Sequence, residues 1–323
     1  VFGKPYDLYK RSSQQLLTAK KFITVEQLLD YTFCPLMYKF KHIDKNKVFL
    51  KDDGTLNFKI LGPKFVRDLH VMAYYLFNYI QDGTFPSPAR MKQRWSVVWG
   101  QSRTKEEIIF FTGPWADQRR QLERKGTQAI LDMLDMFQDN PGKVLMVGSN
   151  YTVDIEGFKL SGTFELVRLL RENNKTITEI VDFKVEERLM SNHIRHDLEI
   201  TAASYAYRKL FNKKEDRVAY HDLVTGTIYY TKRDKEDYIR LLRVIENVYK
   251  AIETNIYYPV MDERCYKCSY QEPCIRKDWY TNVNIEKQPR RSYFKRRRSR
   301  KGRSPKRSLE DKTEGDGKHT GGT

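Results

Sequence analysis

Apolar positions near the start of the chain recur at three- and four-residue intervals: Val25, Leu28, Leu29, Phe33, Leu36, Met37 and Phe40. That spacing marks one buried face of a helix, and Thr24 with Gln27 three residues on supplies a capping box to start it. Pro35 falls inside the run and predicts a kink. Cys34, next to it, therefore rides on the helix or in a break of it. Residues 62–80 repeat the pattern through Phe65, Val66, Leu69, Met72, Ala73, Leu76 and Phe77, and this second helix carries His70. Residues 117–137 read as a third.

The periodicity then shortens. Residues 143–154, 158–170 and 176–185 are rich in Val, Ile, Leu and Phe, and they are separated by Gly157 and by the pair Asn173 and Asn174. Three consecutive antiparallel strands joined by tight turns follow from that order. Residues 198–211 return to helical spacing, residues 217–230 read as a hairpin turning near Thr225 and Gly226, and residues 235–254 form a long amphipathic helix. Helices around a run of strands predict an α/β (α+β) domain.

Beyond residue 287 apolar residues almost vanish. From Glu286 to the end there are fourteen Lys and Arg against five Asp and Glu, so this segment holds +9 of the chain's net +17. Such a stretch cannot offset its ordering entropy by burial and is expected to be a disordered basic tail, a salt-sensitive phosphate binder or a localisation signal. The expected organisation is an N-terminal extension over 1–23, a folded domain with a helical insertion over 24–286, and the tail over 287–323. No apolar run is long enough for a membrane span, and the opening residues lack the apolar core of a signal peptide. With four cysteines in 323 residues, a reducing, cytoplasmic setting and metal ligation are expected rather than disulfides, or a nuclear one if the host is eukaryotic.

The chemistry-bearing residues are few. Cys265, Cys268 and Cys274 form a C-x2-C-x5-C run, and their lone partner is Cys34. Four thiolates suit one tetrahedral centre, zinc or iron-sulfur, that would pin the start of the domain to its end. Asp182 and Lys184 lie two apart on a predicted strand and so share a face, while Val181, Phe183 and Val185 take the other. Pairing across the Asn173–Asn174 turn would bring Glu165 opposite Asp182, and two facing carboxylates repel unless a cation sits between them. A hard divalent ion would resolve that repulsion, with Lys184 serving a phosphate or an attacking water. His193 and His196, three apart, are expected to contact DNA or simply to lie at the surface rather than to bind a metal. Trp95, Trp99 and Trp115 are expected in the core, base stacking being the alternative.

Together these residues resemble the PD-(D/E)XK nuclease superfamily, in its RecB-like branch with an iron-sulfur cluster: the AddB nuclease domain, exonuclease V and the CRISPR-associated exonucleases. The resemblance runs from about Cys34 to Cys274. It implies a restriction-endonuclease-like central mixed sheet flanked by helices, with the terminal segments joined at a four-Cys cluster. It further implies that His70, Glu165, Asp182 and the Phe183 carbonyl bind Mg2+ or Mn2+, that Lys184 orients or activates the attacking water, and that Thr201 and Tyr205 meet DNA. Cys34, Cys265, Cys268 and Cys274 would hold a structural 4Fe-4S cluster, with zinc as the alternative occupant. The implied activity is an exonuclease on single-stranded or end-bearing DNA, with a separate helicase or recombination protein as a partner. The alternatives are a catalytically weak DNA-binding or assembly factor and a nuclease that trims prespacers. Three positions depart from the family pattern: Glu165 where the first acid is commonly Asp, Val185 for a frequent Thr, and Thr201 for the usual Gln.

Overall fold

The computed structural model describes residues 21–45, 56–102, 107, 116–185, 194, 196–271 and 274. The segment before Lys21, the basic tail, His193 and Trp115 lie outside them. Chain order is β1 (Phe22–Thr24), α1 (Val25–Phe33), α2 (Pro35–Tyr38) with a π-helical turn (Lys39–Ile43), α3 (Leu56–Gln81), α4 (Pro88–Gly100) and α5 (Ala116–Gln138). There follow β2 (Lys143–Ile155), β3 (Phe158–Glu172), β4 (Lys175–Lys184), α6 (Leu198–Phe211), β5 (Arg217–Asp222), β6 (Ile228–Thr231), α7 (Lys235–Glu253) and a 3-10 turn (Glu263–Lys267). No helix among the described residues is long and apolar enough to cross a membrane.

The predicted capping box is present: Thr24 and Gln27 exchange hydrogen bonds of 3.0 Å between side chain and backbone. Cys34 is the break between α1 and α2, in extended backbone, with Pro35 opening the next helical turn where its missing N–H costs nothing. Helix α3 begins at Leu56, six residues before the predicted start, and carries Pro63 within it. Two elements go beyond the expected set: α4, capped by Ser87 and opened by Pro88, and β1, three residues paired in parallel with Lys159, Leu160 and Ser161.

The strands make one mixed sheet in the order β1-β3-β4-β5-β6, with β2 running antiparallel along the other edge of β3. Strand β3 is therefore shared. Its first part pairs with β1 and its last part, from Leu166 onward, pairs antiparallel with β4, while β4 and β5 are parallel. Gly162 lies in the interval between those two partners. A Cβ there would meet the Tyr151 hydroxyl oxygen at 2.5 Å and a Val25 methyl at 2.9 Å, so glycine makes room for the side chain of its cross-strand partner Tyr151.

Alternation along the strands divides the interior into two cores. Leu166, Val181, Phe183 and Ala219 face α3, α4 and α5, whose Leu69, Phe77, Trp95 and Phe137 fill that side. Val167 and Ile180 face α1, α6 and α7, and Leu160 and Phe164 join them although they share parity with Leu166, so β3 changes faces between Phe164 and Leu166. Trp95 and Trp99 are buried and stacked at 5.5 Å, which makes them core residues as expected. Central mixed sheet and flanking helices match the architecture expected from the sequence.

His221 is 1% exposed on β5, stacked on Phe137, and neither ring nitrogen has a hydrogen-bond partner among the described residues. Burial, with Arg168 and Arg217 nearby, holds its pKa well below the ordinary value. The folded state therefore refuses a proton that the unfolded chain accepts below about pH 6.5, and stability falls as pH drops through that value. The loss is at most about 1.4 kcal/mol per pH unit. Between pH 6.5 and 5, His221→Phe is expected to flatten the decline seen in urea denaturation of the native sequence. An unchanged slope would place the titration elsewhere.

Candidate active site

The β3–β4 ladder ends at the pair Leu166 and Val181. One step further, Glu165 and Asp182 would be the next partners, and there the strands part. Glu165 turns its carboxylate into the gap, where Oε2 accepts a hydrogen bond from the Phe183 amide in place of a ladder partner. Asp182 shares strand parity with Ile180, so it and Lys184 project to the α6 side, as the sequence pattern required. Glu165 sits where alternation along β3 breaks between Phe164 and Leu166, and it meets both His70 and Tyr74 of α3 and the charge of Glu199 on α6.

His70 arrives from the opposite layer. Helix α3 packs on the other face of the sheet, yet His70 Nε2 reaches the Phe183 carbonyl at 3.0 Å and Nδ1 stands 3.9 Å from Glu165 Oε1. Tyr74, one turn on, lies nearly parallel to the His70 ring and donates to Glu165 Oε1 at 3.5 Å. Burial lowers the His70 pKa against the pull of the Phe183 carbonyl, so the imidazole is neutral and keeps a lone pair for a ligand.

Asp182 is 4% exposed, and neither of its oxygens meets a hydrogen-bond donor in good alignment. Its nearest cation is Lys184, whose ammonium pairs with Oδ2 at 2.8 Å but is aligned on Glu199 at 2.7 Å, with Asp197 at 3.7 Å. Burial raises the Asp182 pKa well above the usual carboxylate range. Lys184 offsets that, and the charges of Glu199, Glu165 and Asp197 add to it. Burial, then the Glu199 charge, raises Glu165 to about 7. Burial opposes the charge on Lys184, but Asp182, Glu199, Asp197 and Glu165 outweigh it and push its pKa well above the ordinary value. In this arrangement Lys184 is a fixed cation rather than a base.

Asp197 and Glu199 were not foreseen. Asp197 caps α6, accepting from the amides of Glu199 and Ile200, and Glu199 occupies the first turn. Asp182, Asp197 and Glu199 each offer an oxygen within 4.8 Å of the others, so the site has a second acidic cluster around the lysine. An Asp just before a helical run with Glu in the first turn reads as capping chemistry, and that ordinary role masked the other.

The donor set fits a hard divalent cation. Two carboxylates, a neutral imidazole and a carbonyl oxygen converge, and a buried Asp without an aligned donor is what a missing ligand bond leaves behind. Tyr205 is half-buried on α6, edge-on to Tyr238 with Lys209 over its ring. Thr201 is 4% exposed; its hydroxyl donates to the Asp197 carbonyl and accepts from Arg233, so it anchors α6 and offers almost no surface. His196 is exposed and accepts from Arg240.

No disulfide joins any of the four cysteines. Cys34 Sγ accepts from the Val260 amide at 3.5 Å, and Cys265 Sγ donates to the Val260 carbonyl at 3.4 Å. Cys34, Cys268 and Cys274 pack around Leu36, Phe40 and Tyr270. Burial, then the neighbouring Cys34, Cys268 and Cys265, raises the Cys274 thiol. The first helix and the last described segment are thus brought together, with Leu36 N also bonded to the Tyr258 carbonyl.

No curated protein matches the chain. Among solved structures it is similar to one titled "Crystal structure of SSO0001", at 11% identity over 84% of this chain and 91% of that one, with a TM-score of 0.38. The family model of the PD-(D/E)XK nuclease superfamily matches residues 23–275. That match runs from Ile23 within β1 past the last cysteine, the acids, lysine and histidine of the site included, and the chain belongs to this nuclease superfamily.

Proposed function

We propose that the protein is a Mg2+- or Mn2+-dependent DNA nuclease of the RecB-like, iron-sulfur branch, an exonuclease on single-stranded or end-bearing DNA in replication, recombination or repair. The observation that carries this reading is the buried, donor-poor Asp182 carboxylate beside Glu165, the neutral His70 ring and the Phe183 carbonyl. Those four groups would hold the ion. When bound, it supplies stabilisation of negative charge developing on the phosphate and lowers the pKa of water. Lys184, charged throughout, orients water against the phosphorus and stabilises the charge on the phosphate oxygens. Glu199 and Asp197 hold that ammonium in place while Asp182 turns to the ion. Tyr205 meets the DNA backbone.

The four thiols supply the donor chemistry of a 4Fe-4S cluster or of zinc, and their place between the first helix and the last described turn suits a structural clasp. Purified without oxygen, the protein is expected to be brown and to contain about four irons per chain. Zinc in their place would overturn the cluster but not the nuclease. For the activity itself, Mg2+ or Mn2+ is titrated against end-labelled single-stranded DNA. Metal-dependent shortening is expected; a mobility shift without shortening would identify a DNA-binding factor instead.

A further inference from the structure

On α3, on the side of the helix away from His70, Tyr75 and Tyr79 are four residues apart and therefore on one stripe. Their hydroxyls bond at 3.2 Å and their rings stand 4.9 Å apart, edge to face. Two arginines one turn apart on α4 cover them: Arg94 lies over Tyr75 at 5.1 Å and Arg90 over Tyr79 at 4.7 Å. Both arginines are exposed, and among the described residues neither has a carboxylate partner. Elsewhere in this region Arg67 is tied to Asp68 and Glu107, and Arg120 to Asp117.

A guanidinium lying over a tyrosine ring leaves its other flat side available, and a nucleobase is the ligand with a matching π-face and an attached anion. With a rise of 1.5 Å and a turn of 100° per residue, Tyr75 and Tyr79 lie about 8 Å and about 14 Å along the helix axis from His70 and about 140° and about 180° around it, so a strand joining them to the site crosses the exposed Asn78 side of α3. We infer that the Arg94–Tyr75 and Arg90–Tyr79 pairs form a stacking track for a single DNA strand leading to or from the site at His70. A duplex, whose bases are already stacked on one another, has no face to offer this track. The inference rests on the nuclease reading for its substrate but can be tested apart from it.

Binding is measured with the full chain in chelator, so that nothing is cut, by anisotropy of fluorescein-labelled oligo(dT) and of a duplex of the same length. Arg90→Gln with Arg94→Gln is expected to weaken oligo(dT) binding by roughly 5- to 100-fold, the range of one stacked base. It should also flatten the salt dependence by about 1.4 in the logarithmic slope, two phosphate-neutralising charges on a single strand. Arg90→Lys with Arg94→Lys keeps the charges and should restore that slope without restoring the affinity. Equal losses for oligo(dT) and duplex, or full recovery with lysine, would reduce the pairs to a general phosphate-binding surface and overturn the track. Wild-type affinity in the Gln variant would overturn it outright. If native protein binds as expected but fails to shorten DNA with Mg2+ or Mn2+, the nuclease reading falls and the track stands.

Discussion

Lys184→Ala and Asp182→Asn should each lower metal-dependent cleavage of DNA by roughly a thousandfold or more, the scale lost when a preorganised charge is removed from a reacting phosphate. They should do so in different ways. Asp182→Asn removes an ionic ligand from the group that includes Glu165 and His70, so calorimetry should show the divalent ion binding weakly or not at all. Lys184→Ala removes the ammonium paired with Asp182 and Glu199 and leaves Asp182, Asp197 and Glu199 without their shared cation. An ion should then bind at least as well, drawn by three uncompensated acids, while cleavage is still lost. Neither variant should weaken oligo(dT) binding in chelator, and circular dichroism should remain native. Full cleavage by either would take that residue out of the mechanism. Lost metal binding in Lys184→Ala would mean that the lysine organises the ligands rather than acting on the phosphate.

Part of this site was legible in the sequence through strand alternation. Residues 158–170 and 176–185, as paired strands, put Glu165, Asp182 and Lys184 on one face; the structure keeps Asp182 and Lys184 so, while alternation along β3 breaks at Glu165 itself. The ladder was expected to continue through Glu165 and Asp182. It stops one pair short, because the Glu165 carboxylate takes the Phe183 amide, and that splay opens room for a ligand. His70 was legible by resemblance only; no local pattern says that a helix on the far layer reaches around to the Phe183 carbonyl. Asp197 and Glu199 were hidden behind their capping role, and Thr201 turned inward because the buried Arg233 claims its hydroxyl. The three-residue β1 carries no readable period, since its place depends on β3, more than a hundred residues away.

The largest stability effect is expected outside the site, at Glu179 on β4, whose side chain is fully buried. Arg168, its cross-strand partner on β3, donates to Oε2 at 2.7 Å, and Arg217 donates to Oε1 at 2.6 Å while also gripping Glu172. Arg168 is itself only 3% exposed and lies over Phe137, beside the ring of His221. Glu179→Ala leaves that guanidinium buried with the Pro141 carbonyl as its remaining acceptor at 3.3 Å. Breaking one side of such a pair costs about 3–5 kcal/mol, because the surviving charge stays in a poor solvent. Urea denaturation should register that loss, and Arg217, less buried and still held by Glu172, should not compensate. Replacing both partners, Arg168→Met with Glu179→Leu, removes the charge with its counter-charge, and most of the stability should return, since a buried ion pair repays little beyond its own desolvation. If Glu179→Ala costs less than about 1 kcal/mol, water reaches Arg168 and the pair behaves as a surface one. If the double replacement is as unstable as the single, the loss comes from packing against Phe137 and not from a stranded charge.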